Sequence, residues 1–278
     1  MNRILYIASL PHSGSTLLDL FAGKHPDLIG LGGVDRAVGM LATEPEKTSA
    51  RMCSCGVAAG SCRYWGRVVK RIAEGADTSS TASRYKLAME VFSGVFGEDK
   101  VPVDSTKLHE PLTALAAMTP RPDLRVVHLA KDFRAAAVSF VDNKRRKGGS
   151  MRPSWLLATQ GVWKWLRENR KIEEACRSAQ WPVLHLGYES LCLQPEESMA
   201  LISHHAGVPT AAPADLNLRA TNSHLFIGNR MRREGEKAKL QYDTRWMART
   251  DWLPAAILLP QTHAANRRWV HHGRSSKG

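Results

Sequence analysis

The chain has 278 residues, 43% of them apolar, and a formal net charge of +13. That length suits one large α/β domain or two small ones, and no run of about 18 apolar residues is present to span a membrane. The excess of Lys and Arg favours anionic partners, without choosing among nucleic acid, an acidic membrane surface and a charged small molecule.

Met1 leads straight into a strand-like segment with no basic, apolar leader, so a cytoplasmic location is expected. Arg3–Ser9 is a continuous apolar run of strand length, as for a parallel strand buried on both faces. Leu10–Ser13 reads as a loop. Gly14–Lys24 has helical spacing, with Leu17, Leu18 and Phe21 on one face, and Pro26 closes it. Ala42–Ser61 lacks periodicity and is rich in small residues, so residues 42–62 read as a surface insertion. Helices follow at Tyr64–Glu74 and Ser80–Phe96, a strand at Val101–Ser105, a helix at Glu110–Met118 and a strand at Leu124–Ala130. Then come helices at Asp132–Arg145 and Trp155–Arg177, a strand at Pro182–Leu186, and a helix at Pro195–Ala206 stopped by Gly207 and Pro209. Strands alternating with helices predict a parallel sheet with crossover helices. No repeat or long linker divides the chain, so residues 1–278 are expected to form a single domain, with residues 270–278 as a disordered tail.

The five cysteines are Cys53, Cys55, Cys62, Cys176 and Cys192. An odd count in a reducing context argues against a disulfide framework. Cys53, Cys55 and Cys62 are spaced C-x-C-x₆-C, not as the C-x₂-C pairs of structural zinc sites. They are read as a compact Cys/Gly loop, and no metal is expected.

Between the first strand and helix lies "PHSGST", Pro11 to Thr16. Successive N–H groups at a helix start, with its partial positive charge, cradle an anion. Gly14 permits close backbone approach, and Ser15 and Thr16 add hydroxyls. The lysine of an ATP- or GTP-binding loop is missing, because Ser15 follows the glycine directly. A second strand–turn–helix, "LRVVHLAKDFRAAAVSF", places Lys131 at a strand's carboxyl end and Ser139 two helical turns later. Ligands of open parallel sheets bind beyond those carboxyl ends.

These segments resemble the PAPS-dependent sulfotransferases. "PHSGSTL" (Pro11 to Leu17) is similar to their 5′-phosphosulfate loop, and "KDFRAAAVS" (Lys131 to Ser139) to their 3′-phosphate motif. "DSTK" (Asp104 to Lys107), "CSCG…CRYW" (Cys53 to Trp65), "GYESLCLQPEE" (Gly187 to Glu197), "HLFIGNRMR" (His224 to Arg232) and "YDTRW" (Tyr242 to Trp246) resemble further family segments in the same order. The resemblance implies an α/β fold of the P-loop-NTPase type, with a central parallel sheet and helical or loop insertions on the acceptor side. It implies PAPS as sulfuryl donor with no metal required, and a small-molecule or carbohydrate acceptor is expected; no nucleic-acid partner is expected, since no helix-turn-helix, zinc-finger or RNA-binding signature is present. Donor contacts would come from His12, Ser13, Gly14, Ser15, Thr16, Leu17, Lys131, Ser139, Tyr188, Gly228, Asn229, Arg230, Arg232 and Arg233.

Three departures bear on catalysis. His12 stands where the family usually has Arg or Lys, and Lys131 where it has Arg. Gly33 occupies the place of a glutamate base. Lys107 is then a second candidate to stabilise the leaving oxygen, and His109 and Asp35 are candidate bases. Each has an ordinary alternative: Asp35 as a helix cap, His109 as a surface residue. The basic run Lys144–Lys147 with Arg152 is expected to be a solvated loop or a lid. Trp155, Trp163 and Trp165 are expected in the core by their helical spacing, and Arg267–Lys277 as a frayed end. Competing readings are a small-molecule kinase, a nucleic-acid binder using the positive charge, and a PAPS-binding but inactive family member.

Overall fold

The computed structural model describes residues 3–146, 148, 151–211, 217–218, 221–228 and 240–271. A five-stranded parallel sheet runs through its centre in the order β2-β3-β1-β4-β5. The strands are β1 (Ile4–Ser9), β2 (Leu28–Gly32), β3 (Val101–Lys107), β4 (Leu124–Ala130) and β5 (Val183–Gly187). Helix α1 (Ser15–Ala22) follows β1. Between β2 and β3 lie α2 (Val34–Thr43), α3 (Pro45–Ser49), a 3-10 turn (Ala59–Ser61), α4 (Trp65–Ala73) and α5 (Thr81–Phe96). Helix α6 (Glu110–Ala116) precedes β4; α7 (Phe133–Arg146) and α8 (Ser154–Ser178) link β4 to β5. The chain continues through α9 (Tyr188–Leu193), α10 (Pro195–Ala206), α11 (Leu253–Leu258) and α12 (Gln261–Val270).

Because successive strand residues face opposite ways, β1 feeds two cores. Ile4, Tyr6 and Ala8 pack with α2, α4, α5, α7 and α8. Leu5 and Ile7 pack with Leu17, Leu18 and Phe21 of α1 and with Met199 and Ile202 of α10. The connection from β1 departs towards β2 and β3, whereas β4 and β5 lie on its other side. The strand order therefore reverses beside β1, and a crevice opens at its carboxyl end, where ligands of open α/β sheets bind.

The expected α/β fold is present, with several differences. Strand β2 has no counterpart in the sequence reading. Its five residues, "LIGLG", are all buried, but two are glycines, which strand composition disfavours. Gly30 is needed there: a Cβ would meet Asp19 Oδ1 at 2.3 Å and Ser223 Oγ at 2.5 Å. Residues 42–62 are not merely a surface excursion, since Cys53, Ala59 and Cys62 are buried in the core. Trp165 is core, but Trp155 and Trp163 are half-exposed. Of the expected frayed end Arg267–Lys277, Arg267–Val270 is the last turn of α12, with Trp269 and Val270 buried; residues 272–278 lie outside the described residues. Lys144–Arg146 is the last turn of α7; Lys147 lies outside the described residues.

Candidate active site

The β1–α1 loop is shaped by two residues with positive φ: His12 at 70° and Gly14 at 95°. Gly14 is confined from above as well. A Cβ there would lie 2.6 Å from Cδ2 of Tyr188, so glycine is required both for the backbone and for the space. Leu18 N–H is bonded to Gly14 O at 2.9 Å. The N–H groups of Ser15, Thr16 and Leu17 belong to the first turn of α1, which has no upstream helical acceptors. Ser13, Ser15, Thr16 and Leu17 are buried, and His12 is exposed at the rim. Gly228 closes over the helix start, where a Cβ would lie 3.4 Å from Thr16 Oγ1. Asn229, Arg230, Arg232 and Arg233 lie outside the described residues.

Lys131 directly follows β4 and is buried. Its Nζ reaches Ser139 Oγ at 3.4 Å and Asp243 Oδ2 at 2.7 Å, and stands 4.7 Å from the centre of the Tyr188 ring. The tyrosine hydroxyl donates to Gln241 O at 2.7 Å. Tyr188 thus joins the loop after β1 to the lysine after β4. Sequence reasoning brought Lys131, Ser139 and Tyr188 to this site but missed the partner role of Asp243. The only available signal was that an acidic residue sits in the late "YDTRW" segment. Burial acts to raise the Asp243 carboxyl, but hydrogen bonds from Arg245 and Lys131 outweigh it and hold the group below the usual carboxylate range. Asp132, next to Lys131, is fully engaged: it accepts from Arg134 Nε and Nη2 and from Asn266 Nδ2.

On the other side of β1, Asp104 of β3 is buried. Its Oδ1 accepts from Val34 N–H at 3.0 Å, Thr106 N–H at 2.9 Å and Thr106 Oγ1 at 2.7 Å, while Tyr85 donates to Oδ2. This ties the end of β3 to the start of α2. Lys107 then takes a φ of 79°, which is uncommon for a residue with a side chain. Burial depresses its ammonium pKa, and the charge of Asp19 partly restores it. Asp19 itself accepts from Ser105 Oγ at 2.6 Å and Gly32 N–H at 3.1 Å. Burial pushes its carboxyl up to about 7. Neither Asp19 nor Asp104 belongs to the expected site, because interior carboxylates cannot be told from surface ones in the sequence alone.

The two candidate bases differ in their surroundings. Asp35, in the first turn of α2, faces Arg84 Nη1 at 3.4 Å. His109 caps the start of α6, with Nδ1 3.5 Å from Glu110 Oε2. Gly33 has little room for a side chain, since a Cβ would stand 3.3 Å from Thr106 Cα.

In fold, the chain is similar to the sulfotransferase domain from the Synechococcus PCC 7002 olefin synthase, at 19% identity and a TM-score of 0.51, over 93% of this chain and 94% of that one. It is likewise similar to a sulfotransferase from Alicyclobacillus acidocaldarius, at 12% identity and a TM-score of 0.51, over 98% and 96%. No curated protein sequence gives a significant match. The profile described as "Sulfotransferase family" matches residues 5–212. That match takes in the β1–α1 loop, Lys131 and Tyr188 within one continuous alignment, and the protein therefore belongs to the sulfotransferase family.

Proposed function

We propose that this sulfotransferase takes PAPS as its donor and transfers the sulfuryl group to a hydroxyl or amine of a small-molecule or carbohydrate acceptor. The observation that carries this reading is the placement of Tyr188, one face of which confines Gly14 while Lys131 stands over its ring. An adenosine nucleotide with phosphates at both its 5′ and 3′ positions needs two anion sites a nucleoside apart. The loop, with its helix start, suits the 5′ side, and Lys131 with Ser139 suits the 3′ side. PAPS supplies an activated sulfuryl group on a good leaving group.

The chain's own residues account for the rest. The loop N–H groups and hydroxyls of Ser13, Ser15 and Thr16 orient the donor and stabilise charge without a metal. Lys107 and His12 face the growing negative charge of the leaving oxygen. The strained backbone at both positions supports this role, because such strain concentrates at functional sites. Asp243 holds the Lys131 ammonium in place and gives way to the 3′-phosphate. By the family resemblance of their segment, Arg230, Arg232 and Arg233 are further candidates to bind the 3′-phosphate. His109 is the better candidate base. Glu110 Oε2 lies 3.5 Å from Nδ1, so Nε2 is the nitrogen assigned to the acceptor's proton, whereas Asp35 is ion-paired with Arg84. The kinase reading is less well supported, since Asp132, the carboxylate beside Lys131, is held by Arg134 and Asn266.

The test is thermal stabilisation by adenosine 3′,5′-bisphosphate against AMP, both without Mg²⁺. A ligand at about a hundred times its Kd adds roughly 2.7 kcal/mol to the folded state. Strong stabilisation by the bisphosphate with little by AMP is expected. Equal stabilisation by the two nucleotides would remove the 3′-phosphate site. Transfer of labelled sulfate from PAPS to an acceptor panel then tests turnover.

A further inference from the structure

The Cys/Gly loop set aside in the sequence reading meets a distant histidine in the fold. The Sγ atoms of Cys53, Cys55 and Cys62 and a ring nitrogen of His224 all lie within 4.8 Å of one another. Cys62 Sγ is 3.9 Å from Cys53 Sγ, 3.7 Å from Cys55 Sγ and 3.2 Å from His224 Nδ1. We propose that these four residues form a structural zinc site.

The distances suit zinc. Tetrahedral bonds of about 2.3 Å to sulfur and about 2.0–2.1 Å to nitrogen place neighbouring sulfurs about 3.8 Å apart and sulfur and nitrogen about 3.6 Å apart. The sulfur separations of 3.9 and 3.7 Å match the first value, and the widest pair in the group needs to close by no more than about 1 Å. A disulfide would instead require its sulfurs at about 2.05 Å. A thiolate-rich tetrahedral set selects zinc over harder cations. All four positions come from the protein, which marks a closed, structural site rather than a catalytic one with an open position.

The surroundings hold the four side chains together. A tight turn presents the sulfurs of Cys53 and Cys55 to that of Cys62. The turn that aims the first two is closed by Cys53 N–H to Val57 O at 2.8 Å and Gly56 N–H to Cys53 O at 3.1 Å, with Gly56 at a φ of 93°. Trp65 Nε1–H donates to His224 O at 2.5 Å, and the Phe96 ring packs on the imidazole at 5.4 Å. On binding, three thiols lose their protons to solvent and His224 binds neutral through Nδ1. The site then carries three thiolates against a divalent ion.

Such a site would clamp two distant parts of the chain. His224 N–H donates to Gly30 O at 2.6 Å, and Gly30 N–H to Asn222 O at 2.9 Å, so residues 222–224 cover the free edge of β2. Four residues beyond His224 stands Gly228, against Thr16 of the loop. The zinc would hold the insertion between β2 and β3 to the segment that reaches the donor site.

The experiment uses the full chain, expressed without a histidine tag, with zinc measured by elemental analysis after exhaustive dialysis in reductant. About one zinc per chain is expected, falling to near zero in Cys55→Ser and remaining in Cys176→Ser and Cys192→Ser. Cys55 is the exposed member of the group, so its substitution disturbs packing least. Should that variant fail to fold, the wild-type protein is stripped of metal, reduced and titrated with Co²⁺. Tetrahedral ligand-field bands with thiolate-to-cobalt charge transfer support the site. Their absence, zinc retained by Cys55→Ser, or reduced metal-free protein that takes up no zinc would each overturn the proposal. So would a disulfide among Cys53, Cys55 and Cys62 that re-forms on removal of reductant although zinc is present.

Discussion

Replacing Gly14 by alanine tests the coupling between the loop and Tyr188. Two costs separate cleanly. The first is conformational: φ at this position is 95°, and a left-handed backbone costs a residue with a Cβ about 1–2 kcal/mol. The second is steric, because the new methyl would lie 2.6 Å from Tyr188 Cδ2, and Tyr188 is buried and tied by its hydroxyl to Gln241 O. Overpacking of that kind costs typically about 1–3 kcal/mol. The sum is about 2–5 kcal/mol, which for a chain of this size lowers Tm by roughly 4–20 °C. A displaced ring would also disturb Lys131, so affinity for adenosine 3′,5′-bisphosphate should fall with stability. A double-mutant cycle separates the two costs. In a Tyr188→Ala background the steric cost vanishes and Gly14→Ala should cost only the conformational part, giving a coupling of about 1–3 kcal/mol. The assays are chemical unfolding and nucleotide titration of all four proteins. Additive effects, with coupling near zero, would refute the claim that Tyr188 confines the loop.

Other predictions follow from the charges around the site. Asp243→Asn removes the carboxylate that competes for Lys131; with a charge-assisted hydrogen bond worth about 1.5–3 kcal/mol, affinity for the bisphosphate in calorimetry should rise about tenfold or more, and weaker binding would make Asp243 a positioning residue instead. His12→Ala should lower kcat far more than it weakens nucleotide binding, as for an interaction made in the transition state; unchanged kcat would leave that role to Lys107. Asp19 has a folded pKa raised to about 7 from an ordinary 3.8. The folded state therefore holds the proton where the unfolded state has lost it, and this group's contribution to stability falls as pH rises from about 4 to about 7. Asp19→Asn should flatten that decline in urea unfolding by up to about 1.4 kcal/mol per pH unit, and an unchanged slope would refute the assignment.

The elements readable in the sequence are those whose periodicity exceeds their neighbours' noise. Strand β1 is an apolar run, β4 is apolar apart from Arg125 and His128, and α8 repeats its apolar face over seven turns of chain, from Ser154 to Ser178. The turn after β1 and Lys131 after β4 could be placed at strand carboxyl ends from sequence, because a polar turn between an apolar run and a helical pattern marks that junction. What the sequence does not carry is who meets whom. Strand β2 contains Gly30, where a Cβ would meet Asp19 and the far more distant Ser223. Asp243 lies 112 residues from Lys131, and only the fold makes it that lysine's counter-ion. The cysteines show the same limit: their spacing alone suggests no metal, because the fourth ligand arrives 162 residues after Cys62. Local patterns decide elements, since hydrogen bonding and burial within a turn or strand depend on near neighbours. Charge pairing, buried carboxylates and convergent ligands depend on the sheet order, and so only the tertiary structure decides them.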